Sequence, residues 1–166
     1  MEYVYGIAAA LAVLLLVALA WRWPRLRQRL KSLRTQRLAE LFLAQRQQLQ
    51  EEYLRVGATS GKPRGLRWAS CDWGTEVYLA RDRSCNGYLA LMEVAIQFAA
   101  IEGGDMEDVD AVALAKNATA LFFFEAGQWH TGGKTLFNLN PDEVLERHRA
   151  QYERLTAALP TGTSQV

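Results

Sequence analysis

The chain has 166 residues, of which 50% are hydrophobic, and a formal net charge of +1 with two cysteines and two histidines. This length fits one small domain with an attached segment, and it excludes two full hydrophobic cores. Histidines, cysteines and convergent acidic residues are too few to indicate an enzyme, and no cofactor is predicted.

The first element is an apolar run, Val4–Trp23, about twenty residues long. Twenty helical residues at about 1.5 Å each span the roughly 30 Å hydrocarbon core of a bilayer. Tyr3 and Tyr5 lie at one end of this run and Trp21 and Trp23 at the other. Aromatic side chains of this kind favour the headgroup layer. The sequence therefore predicts a transmembrane anchor over residues 1–24, with Pro24 marking its exit.

A basic segment with no acidic residue follows the anchor. It contains Arg22, Arg25, Arg27, Arg29, Lys31, Arg34 and Arg37. Positive flanks remain in the cytoplasm, so we predict a single-pass protein with its N-terminus outside and its C-terminal domain cytoplasmic, with Arg22, Arg25 and Arg27 at the interface. Residues 18–20 resemble a signal-peptidase site. A signal peptide, however, carries its positive charge before the apolar run, which favours an uncleaved anchor.

The charge of the chain is unevenly distributed. Residues 38–166 carry 12 basic and 17 acidic side chains. The basic segment is predicted to contact anionic lipid headgroups, and because the acidic domain would repel phosphate, no nucleic-acid partner is predicted. Cys71 and Cys85 are expected to be reduced in the cytoplasm, and they become a candidate disulfide if the topology is reversed.

Residues 25–56 form a predicted helical stalk, basic first and amphipathic later. Apolar residues recur at steps of three, four or seven, which indicates one helical face. They are Leu26, Leu30, Leu33, Leu38, Phe42, Leu49, Tyr53 and Val56. The favoured interpretation is that the C-terminal half of the stalk is a core helix of the domain. Self-association through this face is the alternative.

The cytoplasmic domain is predicted over residues 57–159, beginning with a polar linker at 57–65. Short strands are expected at 66–70 and 77–81 with a turn at 72–74, then a hairpin at Asn86-Gly87. Alternation of apolar residues predicts a strand over 88–101 with one buried face. Further strands are expected at 112–114, 119–125, 128–131 and 135–139, with turns at 126–127 and 132–133.

The last element is a predicted helix that Asn140 caps and Pro160 stops, followed by a disordered tail at 160–166. Its expected apolar stripe runs through Val144, Leu145, His148, Tyr152, Leu155 and Leu159. The predicted fold class is α+β, an antiparallel sheet of four to six strands with packed helices. The order of helix and then meander resembles cystatin-like and NTF2-like cones, an architectural analogy that implies no function.

Candidate sites are few. The acidic loop at 102–110 lacks the spacing of a calcium loop, and 132–135 lacks the first glycine of a phosphate-binding loop. A pair of Cys71 or Cys85 with His130 has the chemistry of a nucleophile and its base, but nothing in the sequence brings them together. The candidate partner-binding residues are Asp105, Glu107, Asp108, Trp129 and His130.

These features favour a non-enzymatic, membrane-anchored protein-interaction module, an accessory or assembly subunit of a membrane complex. Its protein partner is expected at the cytoplasmic membrane face. The alternative is a small-ligand-binding domain, with a pocket between curved sheet and helices lined by Met92, Phe98 or Phe122. An enzyme that uses Cys71 or His130 is the least favoured hypothesis.

Overall fold

The computed structural model describes residues 2–60, 66–101, 103 and 115–155, without the side chains of residues 2–20, 24 and 60. Its two helices are α1 (Glu2–Ser60) and α2 (Pro141–Arg147). Its strands are β1 (Leu66–Asp82), β2 (Tyr88–Ala100), β3 (Lys116–Glu125), β4 (Gln128–His130), β5 (Thr135–Phe137) and β6 (Tyr152–Leu155). A long helix, an antiparallel sheet and a second helix make this an α+β fold, as the sequence predicts.

Helix α1 is one uninterrupted helix of 59 residues, about 88 Å long at 1.5 Å per residue. It does not end at Pro24, where the sequence predicts the exit of the anchor. Among the side chains that the structure describes, no helical segment is long and apolar enough to cross a membrane. Residues 1–20, which form most of the predicted anchor and include Tyr3 and Tyr5, lie outside those side chains, so the anchor stays a prediction.

The C-terminal half of α1 packs on one face of the sheet. Leu38, Phe42, Leu49 and Tyr53 are all buried there. This confirms the interpretation of that half as a core helix. The predicted linker is wrong at its start, because residues 57–60 belong to α1 and residues 61–65 lie outside the described part.

The six strands form one antiparallel sheet in the order β4-β3-β2-β1-β6, with β5 also beside β3. In β2, alternate residues face α1 and form the larger core, as the sequence predicts. They are Ala90, Met92, Val94 and Ile96. Leu89 and Leu91 face the other way and are buried beneath α2. The sheet therefore separates a large core under α1 from a small one under α2.

Strand β1 corrects the prediction of two short strands joined by a turn at 72–74. It is one strand of 17 residues whose pairing with β2 shifts register between Trp73 and Val77. Arg46 of α1 donates to the carbonyl oxygens of Gly74 (2.6 Å) and Thr75 (3.2 Å). A bulge satisfied by a side chain from the helix replaces the predicted turn, and such bulges bend a strand around what it packs against.

Three predicted turns are present. Asn86, with φ of 61°, reverses the chain between β1 and β2. Ala126 (φ 50°) and Gly127 (φ 84°) join β3 to β4, with both central residues in the left-handed region that two-residue hairpins favour. Residues 132–133 separate β4 from β5 and are not a phosphate-binding loop. The predicted strand at 112–114, the disordered tail at 160–166 and all of the acidic loop except Gly103 lie outside the described residues.

The last helix is much shorter than predicted. Its start is confirmed, because the Asn140 side chain accepts from the Glu143 amide (2.8 Å) and the Glu143 carboxylate accepts from the Asn140 amide (3.0 Å). The helix ends at Arg147, with His148 exposed at its C-terminus. His148 is therefore not the semi-buried imidazole that the stripe predicts.

Tyr152 and Leu155 of the predicted stripe belong to strand β6, which extends the sheet beside β1, whereas Leu159 lies outside the described residues. The side chain of Arg154 on β6 pairs with Asp142 of α2. This pairing holds the pKa of the Asp142 carboxyl below its usual range. Joining β1 satisfies backbone groups along an edge that would otherwise remain open, and this tertiary pairing outweighs local helix propensity.

Candidate functional site

A cleft of about 560 Å³ lies between the middle of α1, the β1–β2 hairpin and strand β6. We call it the basic cleft. Its lining residues are Leu30, Lys31, Arg34 and Thr35 from α1 and Arg81, Asn86, Tyr88, Glu153 and Leu155 from the sheet. Because residues 30–35 follow directly on Trp23 along α1, the cleft is at the end of the domain nearest the predicted anchor.

Sheet register brings the cleft residues of the sheet together. Arg81 pairs opposite Tyr88 on β2 and opposite Glu153 on β6. The hairpin that sets this register is tightened by Asp82, which accepts from the Ser84 hydroxyl (2.6 Å) and amide (2.8 Å). The hydroxyl contact, with help from the amide, lowers the pKa of the Asp82 carboxyl. The carboxylate therefore stays ionised and keeps the turn in place at neutral pH.

The cleft carries an excess of positive charge. Lys31, Arg34 and Arg81 line it, against one acidic residue, Glu153. The guanidinium of Arg34 lies 5.9 Å from the centre of the Tyr88 ring and donates to the Tyr88 hydroxyl at 3.3 Å. Arg81 donates to the Asn86 side-chain oxygen. These neutral partners orient the two guanidinium groups without neutralising them.

The predicted partner-binding residues are scattered. Asp105, Glu107 and Asp108 lie outside the described part of the chain. Trp129 is 5% exposed and packs under α1, where its indole N–H donates to the Leu38 carbonyl at 3.1 Å. Almost none of its ring is open to a partner. His130 points to the other side of β4, half-buried, with its Nε2 3.8 Å from a Glu125 carboxylate oxygen.

The space between the sheet and α1 is filled by side chains where the structure describes it. Met92 and Phe122 are fully buried. The Phe122 ring centre lies 5.2 Å from that of Phe42 and 5.9 Å from that of Tyr53. Burial raises the pKa of the Tyr53 hydroxyl well above its ordinary value, and that hydroxyl bonds Thr135 Oγ1 at 2.6 Å. These contacts give no support to a ligand pocket at this place.

The two cysteines are unpaired and far apart. Cys71 lies ten residues before Arg81 on β1, while Cys85 is in the hairpin beyond Arg81. Ten strand residues extend about 33 Å, whereas a disulfide requires Cα atoms within about 7 Å. They therefore do not form the intramolecular disulfide considered for a reversed topology. Cys71, on β1, is separated from His130 on β4 by the two strands β2 and β3.

At pH 8 we expect Cys85 in the folded full chain to react with iodoacetamide at least ten times faster than Cys71. Burial, with a smaller contribution from Asp72, raises the pKa of the Cys71 thiol to about 11. Only about one thiol in a thousand is then ionised, and the thiolate is the nucleophile. Cys85 is exposed. Timed quenching followed by peptide mass spectrometry gives both rates. Equal rates would contradict this environment of Cys71, and the Cys85→Ser control should retain only the slow reaction.

Sequence reasoning missed the sheet side of the basic cleft. Lys31 and Arg34 were recognised only as part of the basic segment. Arg81 and Tyr88 flank the Asn86-Gly87 hairpin signal, which places them opposite each other. No such signal indicates Glu153 and Leu155, because the sequence pattern predicts a helix over that segment.

Within the described ranges, no three His, Cys, Asp or Glu side chains lie close enough together to hold a metal ion. The chain matches no protein-family model, no curated protein and no solved structure with which it was compared.

Proposed function

We propose that this protein is a non-enzymatic, membrane-anchored interaction module that holds its sheet domain against a protein partner at the cytoplasmic membrane face. In this proposal the N-terminal part of α1 spans the bilayer with its N-terminus outside. The sheet domain acts as an accessory or assembly subunit of a membrane complex.

The observation that carries this proposal is the continuity of α1. The same helix that contains the apolar run also supplies Phe42 and Tyr53 to the core under the sheet. Because no loop intervenes, an anchor at the start of this helix would fix the domain at a set height above the membrane. A subunit that must contact a neighbouring membrane protein at a fixed height benefits from such a rigid connection.

The exposed side chains between the anchor and the core also support this proposal. Trp21 is 75% exposed and Trp23 56% exposed. Arg27 lies 5.2 Å over the Trp23 ring. Large aromatic side chains that no part of the described domain covers, flanked by arginine, are typical of a membrane interface.

A free sheet edge supplies a surface for a partner. Strand β1 pairs with β6 only over residues 79–82, so along residues 66–72 its outer edge has no strand beside it in the described part of the chain. Arg46 covers the neighbouring carbonyls of the bulge. An open edge of this length accepts an added strand from another chain.

Purification of the tagged full chain from its native membrane in mild detergent tests the proposal. We expect a partner in stoichiometric amount, and its loss in Ala69→Lys, because a lysine on an edge strand hinders the addition of another strand. Ala150→Lys, the same substitution in the exposed turn after α2, is the control and should retain the partner. A chain that purifies alone would contradict the proposal. If both variants retain the partner, the partner binds a surface other than the open edge of β1.

A further inference from the structure

We propose that the basic cleft binds the phosphate group of an anionic phospholipid headgroup. The proposal depends on the anchoring proposed above only for the source of the lipid. It assigns a defined site, made by the helix and the sheet together, in place of a general attraction between the basic segment and the bilayer.

The positive charge of the basic cleft is not compensated by nearby carboxylates. None of the ion pairs among the described residues includes Lys31, Arg34 or Arg81. In that part of the chain, no carboxylate lies within 4.0 Å of these three side chains. The single acidic residue of the cleft, Glu153, instead faces Arg83 outside it, at 3.9 Å. Three cations that share one cleft repel each other, and a bound anion would relieve this repulsion.

The two arginine side chains of the basic cleft are held in fixed orientations. Arg34 is positioned by the Tyr88 ring and hydroxyl, and Arg81 by the Asn86 side chain. Guanidinium groups held in this way retain further N–H donors for a ligand. Phosphate offers several oxygens to planar arginine donors and to a lysine ammonium. The cleft therefore matches phosphate better than a single carboxylate.

The apolar walls of the cleft and its height above the membrane indicate a lipid as the source of the phosphate. The cleft also has apolar walls, Leu155 and the 59% exposed Leu30, and Leu26 continues this face toward Trp23. Lys31 lies about 12 Å beyond Trp23 along α1, and the headgroup layer of one leaflet is about 5–8 Å thick. With Trp23 at the interface, Lys31 would lie about 4–7 Å beyond the headgroup layer, a gap that a lysine side chain can bridge. At that height, the amphipathic phosphate ligand that matches the cleft is a phospholipid.

The test is calorimetric titration of the full chain in neutral detergent at about 150 mM salt. The ligands are dioctanoyl phosphatidic acid, dioctanoyl phosphatidylcholine and glycerol 3-phosphate. We expect phosphatidic acid to bind at least tenfold more tightly than the other two. Glycerol 3-phosphate binding as tightly as the lipid would overturn the lipid source and indicate a soluble phosphate ester. Absence of phosphatidic acid binding would overturn the site itself.

Paired variants test whether the cleft, and not overall charge, is responsible. Arg34→Gln with Arg81→Gln should weaken phosphatidic acid binding at least tenfold. Arg25→Gln with Arg29→Gln removes the same charge from a separate surface groove and should change it less than twofold. Equal losses would contradict a defined site. Lys31→Gln serves as a check that is independent of folding, because this side chain makes no described contact, and it should also weaken binding severalfold.

These outcomes are independent of the proposed function. Binding in micelles requires neither a membrane-spanning helix nor a protein partner. If the chain binds the lipid but is extracted from membranes by alkaline carbonate, lipid binding by the cleft is supported and the membrane anchor is contradicted. If the chain resists extraction but does not bind the lipid, the anchor is supported and lipid binding by the cleft is contradicted.

Discussion

Replacing Phe42 by alanine is expected to lower the free energy of unfolding by about 3–5 kcal/mol, the usual cost of removing a buried aromatic side chain. Phe42 is fully buried at the centre of the contact between α1 and the sheet. Its ring centre lies 5.2 Å from those of both Phe122 and Trp129, edge-on in each case. Truncation leaves a cavity between rigid aromatic rings, which collapse poorly around it. Denaturant unfolding of the full chain in neutral detergent, followed by tryptophan fluorescence, measures the change.

Phe137→Ala is the matched control. Phe137 is 43% exposed on the short strand β5 and touches Phe98 at a ring-centre distance of 6.3 Å. Its truncation removes the same atoms but little buried area, so we expect a loss below about 1 kcal/mol. Similar losses for the two variants would mean that α1 does not close the core as described.

Replacing Gly133 by alanine is expected to cost about 2–5 kcal/mol, the second large effect. Gly133 has φ of +69°, in the left-handed region that L-residues adopt at a cost of about 1–2 kcal/mol. An added Cβ would also lie 2.9 Å from the Gly57 nitrogen and 3.2 Å from its Cα, in the last turns of α1. Those atoms are backbone and yield only if the helix moves, which adds about 1–3 kcal/mol of overpacking.

Two neighbouring glycines separate these contributions. An alanine Cβ at Gly132 meets nothing within 4 Å, and its φ is ordinary, so Gly132→Ala should change stability by less than about 0.5 kcal/mol. Gly127 has φ of +84° but open space around it. Gly127→Ala should therefore show the conformational cost alone. If Gly133→Ala costs no more than Gly127→Ala, then α1 does not approach this loop closely.

Local sequence patterns predicted those elements whose structure is determined by residues close together in the sequence. The alternation along β2 gave both the strand and its buried face. Asn86-Gly87 and Ala126-Gly127 gave the hairpins, because positive φ is a local requirement. Asn140 as N-cap and Pro141 in the first turn predicted the start of α2, and the structure adds a capping box between Asn140 and Glu143. The spacing of Phe42, Leu49 and Tyr53 gave the core face of α1.

The elements that differ from prediction depend on distant partners. Residues 72–74 looked like a turn because Gly74 breaks a strand pattern, whereas Arg46, 28 residues earlier, stabilises a bulge there. Residues 152–155 fit the predicted helical stripe, but in the structure they pair with the edge of β1 and form a strand. Neither partner is visible in a local window of sequence.

The same reason limits prediction of the basic cleft. Its α1 side was visible as basic residues, but Arg81 joins them only through the packing of the hairpin beside α1. Glu153 and Leu155 join through β6, which the sequence did not indicate. Trp129 is a predicted partner-binding residue because aromatic residues are enriched in interfaces. In the structure its ring packs against Phe42 and its indole N–H donates to the Leu38 carbonyl, so it belongs to the core.

The most direct test of the central claim, that α1 anchors a cytoplasmic sheet domain, is labelling of Cys85 in sealed native membrane vesicles. This thiol is exposed in the β1–β2 hairpin, and Cys71 is protected by burial. A membrane-impermeant maleimide should label Cys85 at once in inside-out vesicles, and in right-side-out vesicles only after detergent is added. The Cys85→Ser chain should remain unlabelled in both on that timescale. Labelling of Cys85 in intact right-side-out vesicles, or recovery of the chain in the soluble fraction, would contradict the proposed anchoring and orientation.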